Sequence, residues 1–372
     1  MQMNIEKREH GYHIFHADED GRSVSRGTIL RYGLHLNGAE LKAFGIGGVG
    51  TDPEYRRMGL VRQFLAKAFA LAEEEGCAAT VLHPFSFAYY RKFGFERVAD
   101  HRILEFPVRA LDFVPRYEKF KRCSSADAAE LNTVYNTFAA GRNIIFARSN
   151  GYGWPLEHIS QKVYLSRDES GAADAYIIFE TETPLYVNHI ANAVLHVREF
   201  GFTTPAALDK LLGFMRMFDG QVETVILHNT AMAPEVELRL RHYTHTKITI
   251  VPDLMVRIHD VEAVLKAVRY PVAAGRFTVR VTEPENTSHS AAKTTGVWLV
   301  TYENGTAQVT RLADDAVCDL EADIPAFTRL LFGYESYGAD AARYMPGVVL
   351  HDDCADFFRA FPNRPCGLFE HF

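Results

Sequence analysis

A helical pattern enclosed between strand patterns constrains the fold of the first hundred residues more than any other feature. From Arg57 to Glu75, apolar residues recur at spacings of three and four, and Gly76 is placed to end this helix in the left-handed conformation. Short strand patterns precede the helix between residues 10 and 51, and a buried strand pattern, AATVLH, follows at residues 78–83. Strands on both sides of a helix predict a parallel crossover.

The turn that leads into this helix has the character of an anion site. The run from Val49 to Val61, VGTDPEYRRMGLV, places two arginines and a glycine at the helix N-terminus. The first backbone N–H groups of a helix lack partners within it, and the helix dipole favours negative charge at that end. The sequence therefore predicts a site where a pyrophosphate can bind. An ordinary loop with solvated arginines is the alternative.

The order of elements predicts three domains. Residues 174–250 repeat the strand, helix, strand order, but their turn, REFGFTTP, lacks the paired arginines and the glycine-ended loop, so no cofactor is expected there. From about residue 260 alternating strands dominate, with a hairpin signal at Asn304 and Gly305. We expect an α/β domain at 1–115, a second copy at 116–258 and an α+β domain at 259–372.

Composition excludes several function classes. The net charge is −7 and no basic block is present, which argues against a nucleic-acid partner. The five cysteines are scattered without a CxxC pair, so we expect reduced thiols, a cytoplasmic location and no metal. No run approaches the roughly 18 apolar residues of a membrane span, so no membrane insertion is expected.

Two motifs carry a resemblance to a known superfamily. The pattern Arg56-x-x-Gly59-x-Val61 resembles motif A of the GNAT acetyltransferases, R/Q-x-x-G-x-G/A, with valine at the last position. The downstream segment LHPFSFAYYRKFGFERV is similar to the one that follows the second conserved strand there. With the degenerate second copy and the passage LMVRIHDVEAVLKAVRYP, the chain resembles the Eis (enhanced intracellular survival) family. Members of that family join a GNAT domain, a degenerate GNAT-like domain and a C-terminal domain similar to sterol carrier proteins.

The resemblance implies an N-acetyltransferase that uses acetyl-CoA and transfers the acetyl group directly to primary amines. Acceptors would be small molecules such as aminoglycosides or polyamines, or peptides, and related proteins are often hexamers. Val49 and Thr51 would contact the pantetheine arm, and the following loop would hold the pyrophosphate. The implied cofactor-binding residues are Val49, Thr51, Arg56, Arg57, Met58, Gly59, Leu60 and Val61.

Direct transfer needs an acid for the departing thiolate and a base for the attacking amine. Tyr90 matches the tyrosine that the family uses as general acid, and a phenol with a pKa of about 10 is protonated at neutral pH. The base in the family is the α-carboxylate of the final residue, which here is Phe372. Glu370 and His371 are the alternatives for the base, whereas His83 is interpreted as a structural histidine.

The acceptor pocket is where the resemblance is weakest. Family members usually begin with a strand and two helices that wall this pocket, but strand-like sequence starts here within the first dozen residues. Phe85, Phe87 and Tyr89 are candidates to line the pocket instead, or else belong to the core. A lipid or acyl-CoA carrier without turnover is the alternative function.

Overall fold

The computed structural model describes residues 1–148, 162–182, 193–284, 293–333 and 338–370. The chain forms two compact units. The first unit contains Met1–Ala99, Asp253–Cys366 and Glu370, and the second contains Asp100–Pro252 and Gly367–Phe369. No helix in the described ranges is long and apolar enough to cross a lipid bilayer.

The first unit contains the strands β1 (Gln2–Arg8), β2 (Gly11–Ala17), β3 (Ser23–Leu36), β4 (Ala39–Thr51), β5 (Ala79–Leu82), β6 (Glu96–Arg97) and β15 (Met255–Ile258). They form a mixed sheet with the strand order β1-β2-β3-β4-β5-β15-β6. The short strand β9 (Phe146–Ala147) belongs to the second unit. Helix α1 (Leu60–Glu75) connects β4 to β5, which are parallel, and α2 (Phe87–Arg91) follows β5. The predicted parallel crossover is confirmed.

The α1 helix is held on this sheet by its apolar face. Phe64, Leu65, Ala68 and Phe69 are buried and share one core with sheet residues such as Phe44. The helix ends where the sequence predicts, because Gly76 has φ of 68° and its N–H bonds back to carbonyls of the last turn. This packing fixes the position of the helix N-terminus relative to the end of β4.

A second sheet in the first unit has the strand order β18-β17-β16-β19-β20. Its strands are β16 (Gly275–Thr282), β17 (Gly296–Glu303), β18 (Thr306–Leu312), β19 (Leu320–Asp323) and β20 (Val348–Leu350). The helices of this region are α6 (Val261–Ala267), α7 (Ile324–Phe332), α8 (Ala339–Ala342) and α9 (Ala355–Ala360). Asn304 and Gly305 form the predicted two-residue hairpin between β17 and β18.

The second unit is built on one mixed sheet with the strand order β14-β7-β13-β12-β11-β10-β8. Its strands are β7 (Asp100–Pro107), β8 (Lys121–Arg122), β10 (Lys162–Arg167), β11 (Ala173–Glu182), β12 (Ala193–Phe202), β13 (Val222–Leu227) and β14 (Lys247–Pro252). Its helices are α3 (Ala128–Ala139), α4 (Pro205–Arg216) and α5 (Pro234–Arg239). Strands β12 and β13 are parallel around α4, so the crossover of the first unit is repeated.

The structure departs from the expected boundary near residue 115. Strand β7, expected in the first domain, pairs with β13 and β14 in the sheet of the second unit, where Leu104 and Phe106 are buried in the core. In the first sheet, β15 pairs with β5 instead, and all four of its residues are buried. β7 and β15 thus belong to different sheets from those that sequence order suggests.

Arg257 on β15 is fully buried and holds two partners of the first unit. It donates to the carbonyl of Phe93 at 2.8 Å and to Glu283 Oε1 at 2.7 Å. Breaking a buried pair leaves an uncompensated charge, so we expect Arg257→Met to lower the free energy of unfolding by about 3–5 kcal/mol.

Urea denaturation measures this loss. Adding Glu283→Gln should restore part of the stability, because the orphaned carboxylate is removed. Lys266→Ala breaks an exposed pair with Glu262 and is the control, with a cost below about 1 kcal/mol. A loss for Arg257→Met no larger than the control would contradict this account.

Candidate active site

The strands β4 and β5 separate after a short paired stretch. Their pairing runs from Ala43 opposite Ala79 to Ile46 opposite Leu82, whereas β4 continues to Thr51. On its other side β4 contains a bulge, since Thr28 pairs with Gly47 and Arg26 with Gly50. A bulge bends its strand and increases the local twist. On the side that faces β5, the end of β4 from Gly47 to Thr51 therefore has no described strand beside it, which leaves an opening between β4 and β5.

The turn after β4 presents backbone N–H groups at the start of α1. Arg57 and Gly59 both adopt left-handed conformations, with φ of 64° and 77°. Gly59 is the N-cap, no side chain caps the helix, and its first turn has no acidic residue. A Cβ atom at Gly59 would meet nothing within 4 Å, so the approach to these N–H groups is open. The geometry suits a phosphate held by backbone N–H groups.

A cavity of about 710 Å³ lies against this turn. Its lining residues are Val49, Gly50, Thr51, Tyr55, Arg56, Arg57, Gly59, Leu60, Val61, Arg62, Phe85, Tyr89, Lys92 and Phe93. Seven of the eight predicted cofactor-binding residues are therefore gathered around one space. Met58, the eighth, is 53% exposed and does not line it.

Four cationic side chains surround this cavity. Arg56 and Arg57 were predicted, whereas Arg62 and Lys92 were not singled out from the sequence. None of the four has a carboxylate of another described residue within salt-bridge distance, so their charge is available to an anionic ligand. Arg62 could have been found from its place three residues after Gly59, one helical turn away.

The two adjacent tyrosines of α2 differ in their relation to the cavity. Tyr89 is half-buried and lines it, whereas Tyr90 is 2% exposed, does not line it, and packs against Phe85 and Phe95. No hydrogen bond joins the Tyr90 hydroxyl to another described residue. Burial raises the pKa of both phenols, which keeps them protonated at neutral pH.

His83 directly follows β5, at the point where β4 and β5 separate. Its Nδ1 lies 2.7 Å from Asp253 Oδ1, and its Nε2 lies 3.1 Å from the backbone carbonyl oxygen of Glu370. Burial alone lowers the pKa of His83, but the hydrogen bonds and the Asp253 charge outweigh it and leave the pKa raised. Phe372, the predicted base, lies outside the described residues, as does His371.

The second crossover lacks the features of this site. The side chain of Thr204 caps α4 by accepting from the Ala207 N–H, and Pro205 at the first position has no N–H to offer. Beside it, His228 follows β13 as His83 follows β5, but Arg198 on β12 donates to its Nε2 at 3.1 Å. The N-terminus of α4 therefore offers fewer free N–H groups than the N-terminus of α1.

Two family models match the sequence, and both describe a GNAT acetyltransferase domain. One matches residues 4–98 and the other residues 149–258. No curated protein matches the sequence significantly.

Solved structures share the fold over nearly the whole chain. A GCN5-related N-acetyltransferase from Anabaena variabilis ATCC 29413 has a TM-score of 0.81 and 18% identity, covering 98% of this chain and 90% of its own. One from Kribbella flavida has a TM-score of 0.76 and 19% identity, covering 97% and 87%. Eis1 from Mycobacterium abscessus has a TM-score of 0.76 and 14% identity, covering 97% and 90%.

The two domain matches and the common fold agree with the parallel crossover found in each unit. The turn after β4, with its cationic side chains, lies within the first of these two domain matches. The chain is therefore a GNAT acetyltransferase that carries two such domains in tandem.

Proposed function

We propose that the chain acetylates primary amines of small molecules such as aminoglycosides or polyamines, using one acetyl-CoA bound in the first unit. The observation that carries this proposal is the uncapped N-terminus of α1, surrounded by four cationic side chains beside the β4–β5 opening. The pyrophosphate would lie on the N–H groups from Gly59 to Val61. The pantetheine arm would follow Val49 and Thr51 along the free edge of β4.

In the proposed reaction the amine nitrogen attacks the thioester carbonyl carbon, the new C–N bond forms, and the C–S bond breaks. The proton of the attacking nitrogen passes to the α-carboxylate of Phe372, with Glu370 and His371 as alternatives. The departing thiolate takes a proton from the phenol of Tyr90. The resemblance of YRKFGF supports Tyr90 in this role, and burial keeps its phenol protonated.

The C-terminal region of the first unit corresponds to the domain we propose to be sterol-carrier-like. A cavity there of about 370 Å³ is lined mainly by charged residues, among them Asp260, Lys266, Lys293 and Arg311. Apolar side chains predominate in most small-molecule sites, and a lipid requires them. The charged residues around this cavity therefore lend no support of their own to the carrier alternative.

Acetyl-CoA turnover, read as free thiol, tests the proposal against a panel of polyamines, aminoglycosides and lysine peptides. We expect turnover with at least one class of amine and one acetyl-CoA bound per chain by calorimetry. Two bound molecules per chain, or no thiol release with any amine, would overturn it.

Replacing Arg57 with glycine tests the contribution of its charge apart from that of its left-handed backbone conformation. Glycine adopts the left-handed φ of 64° without strain, so the turn should keep its shape while one charge is lost. We expect the KM for acetyl-CoA to rise about 5–10-fold, with kcat nearly unchanged, because an ion contact to phosphate contributes on the order of 1 kcal/mol. Arg26→Gly on β3, outside the cavity lining, is the control. An equal KM for acetyl-CoA in both variants would show that Arg57 does not contribute to cofactor binding.

A further inference from the structure

His83 lies between two acceptors, and this arrangement determines its protonation. Asp253 Oδ1 faces one ring nitrogen and the Glu370 carbonyl oxygen faces the other, at 2.7 and 3.1 Å. Neither oxygen can donate when the carboxylate is ionised. A neutral imidazole has a single N–H, so it can satisfy only one of them. Both hydrogen bonds exist together only when His83 is an imidazolium.

The residue held by His83 belongs to the last stretch of the chain. Glu370 is 3% exposed and precedes Phe372 by two residues. Immediately before it, Phe369 packs within the second unit against the rings of Phe138 and Phe200, with centroids 6.4 and 6.1 Å away. The described end of the chain is therefore fixed by packing at Phe369 and by a hydrogen bond at Glu370.

We propose that the Asp253–His83 pair is a proton-dependent latch that positions the C-terminal segment for catalysis. This inference rests on the proposed function, in which the carboxylate of Phe372 is the base. His83 acts here as a positioning residue, since its ring holds the backbone at Glu370. Asp253 is the charged group that faces His83 among the described residues, and it keeps the proton on the ring.

The sign of the pH dependence follows from these contacts. The pKa of His83 is raised in the folded chain, so the latch is complete at pH values below its ordinary pKa of about 6.5 and is lost as pH rises through the raised value. Once neutral, the ring keeps its N–H on Asp253, the stronger acceptor. The Nε2 atom, which now carries a lone pair instead of a proton, cannot donate to the carbonyl oxygen of Glu370, so that hydrogen bond is lost.

Release of C-terminal residues by a carboxypeptidase, followed by mass spectrometry on the full chain, measures the latch without using activity. Rates are taken relative to a synthetic peptide of residues 361–372 at each pH. We expect wild type to be protected at low pH and to lose protection as pH rises, whereas His83→Ala should be cleaved at least about tenfold faster at low pH. His13→Ala, which removes a partly buried histidine of β2, should cleave like wild type.

Asp253→Asn is the discriminating variant because it preserves shape. An asparagine amide can donate to Nδ1 of a neutral ring whose Nε2–H then donates to Glu370. Protection should therefore persist to high pH in Asp253→Asn. Unchanged cleavage of His83→Ala, or a wild-type pH dependence in Asp253→Asn, would overturn the latch.

Kinetics separate this inference from the proposed function. If the latch serves catalysis, His83→Ala lowers kcat while the KM for acetyl-CoA stays within about twofold, since the phosphate site is intact. Full activity in a chain lacking Phe372, with rapid cleavage in His83→Ala, would refute the proposed base and leave the latch standing. Loss of activity without Phe372, with wild-type cleavage in His83→Ala, would refute the latch alone.

Discussion

A chain that lacks Phe372 is expected to lose kcat by about 10²–10⁴-fold, the range for removing a positioned general base. The physical reason is that truncation moves the terminal carboxylate back by one residue, away from the attacking amine. The KM for acetyl-CoA should change little, because the turn from Arg56 to Val61 is untouched. Steady-state thiol release with a saturating amine measures both constants.

Two variants of the same residue serve as controls. Phe372→Leu keeps the carboxylate at its place in the chain and should retain most of the rate. One glycine added after Phe372 keeps the ring but displaces the carboxylate, so it should be as slow as the truncation. If truncation and extension both kept the full rate, the base would be another group, with Glu370 the first to examine.

Tyr90→Phe is expected to lower kcat by about 10²–10³-fold, because the departing thiolate loses its proton donor. The ring would keep its packing against Phe85, Tyr89 and Phe95, and the hydroxyl has no hydrogen bond with another described residue, so stability should change little. Since burial raises the pKa of Tyr90, wild type should show no loss of rate from this group below about pH 10, its ordinary pKa.

Tyr89→Phe is the matched control, because the two phenols are neighbours on α2 and only Tyr89 lines the cavity. A proton donor at Tyr90 predicts that Tyr89→Phe keeps most of kcat. The reverse result, with the large loss in Tyr89→Phe, would assign the acid to Tyr89 and leave Tyr90 as a packing residue.

Local features of the fold and of the candidate cofactor site could be predicted because they depend on short-range geometry. The helix from Leu60 to Glu75 is specified by its apolar spacing and by Gly76, and the candidate anion site by the residues at its N-terminus. Seven predicted residues meet around one cavity for the same reason, since they adjoin in sequence. Arg62 and Lys92 were missed because exposed cations on a helix or at its end are ordinarily solvated.

Long-range features could not be predicted from local patterns. Strand Asp100–Pro107 pairs in the sheet of the second unit and Met255–Ile258 in the β1-containing sheet of the first unit, since each buries its apolar residues in the core that it completes. Sequence periodicity indicates which residues of such strands are buried, but it does not indicate which strand each of them pairs with.

His83 is the residue whose surroundings depend most on the tertiary structure. The sequence by itself shows only that His83 ends a buried strand pattern. A histidine in that position is ordinarily interpreted as structural. Only the tertiary structure places Asp253, 170 residues away, and the carbonyl of Glu370, 287 residues away, on its two ring nitrogens. Contacts over such separations depend on the packing of the whole chain. The sequence of residues 49–61 was therefore enough to predict the turn proposed to bind phosphate, whereas the surroundings of His83 were decided by the fold.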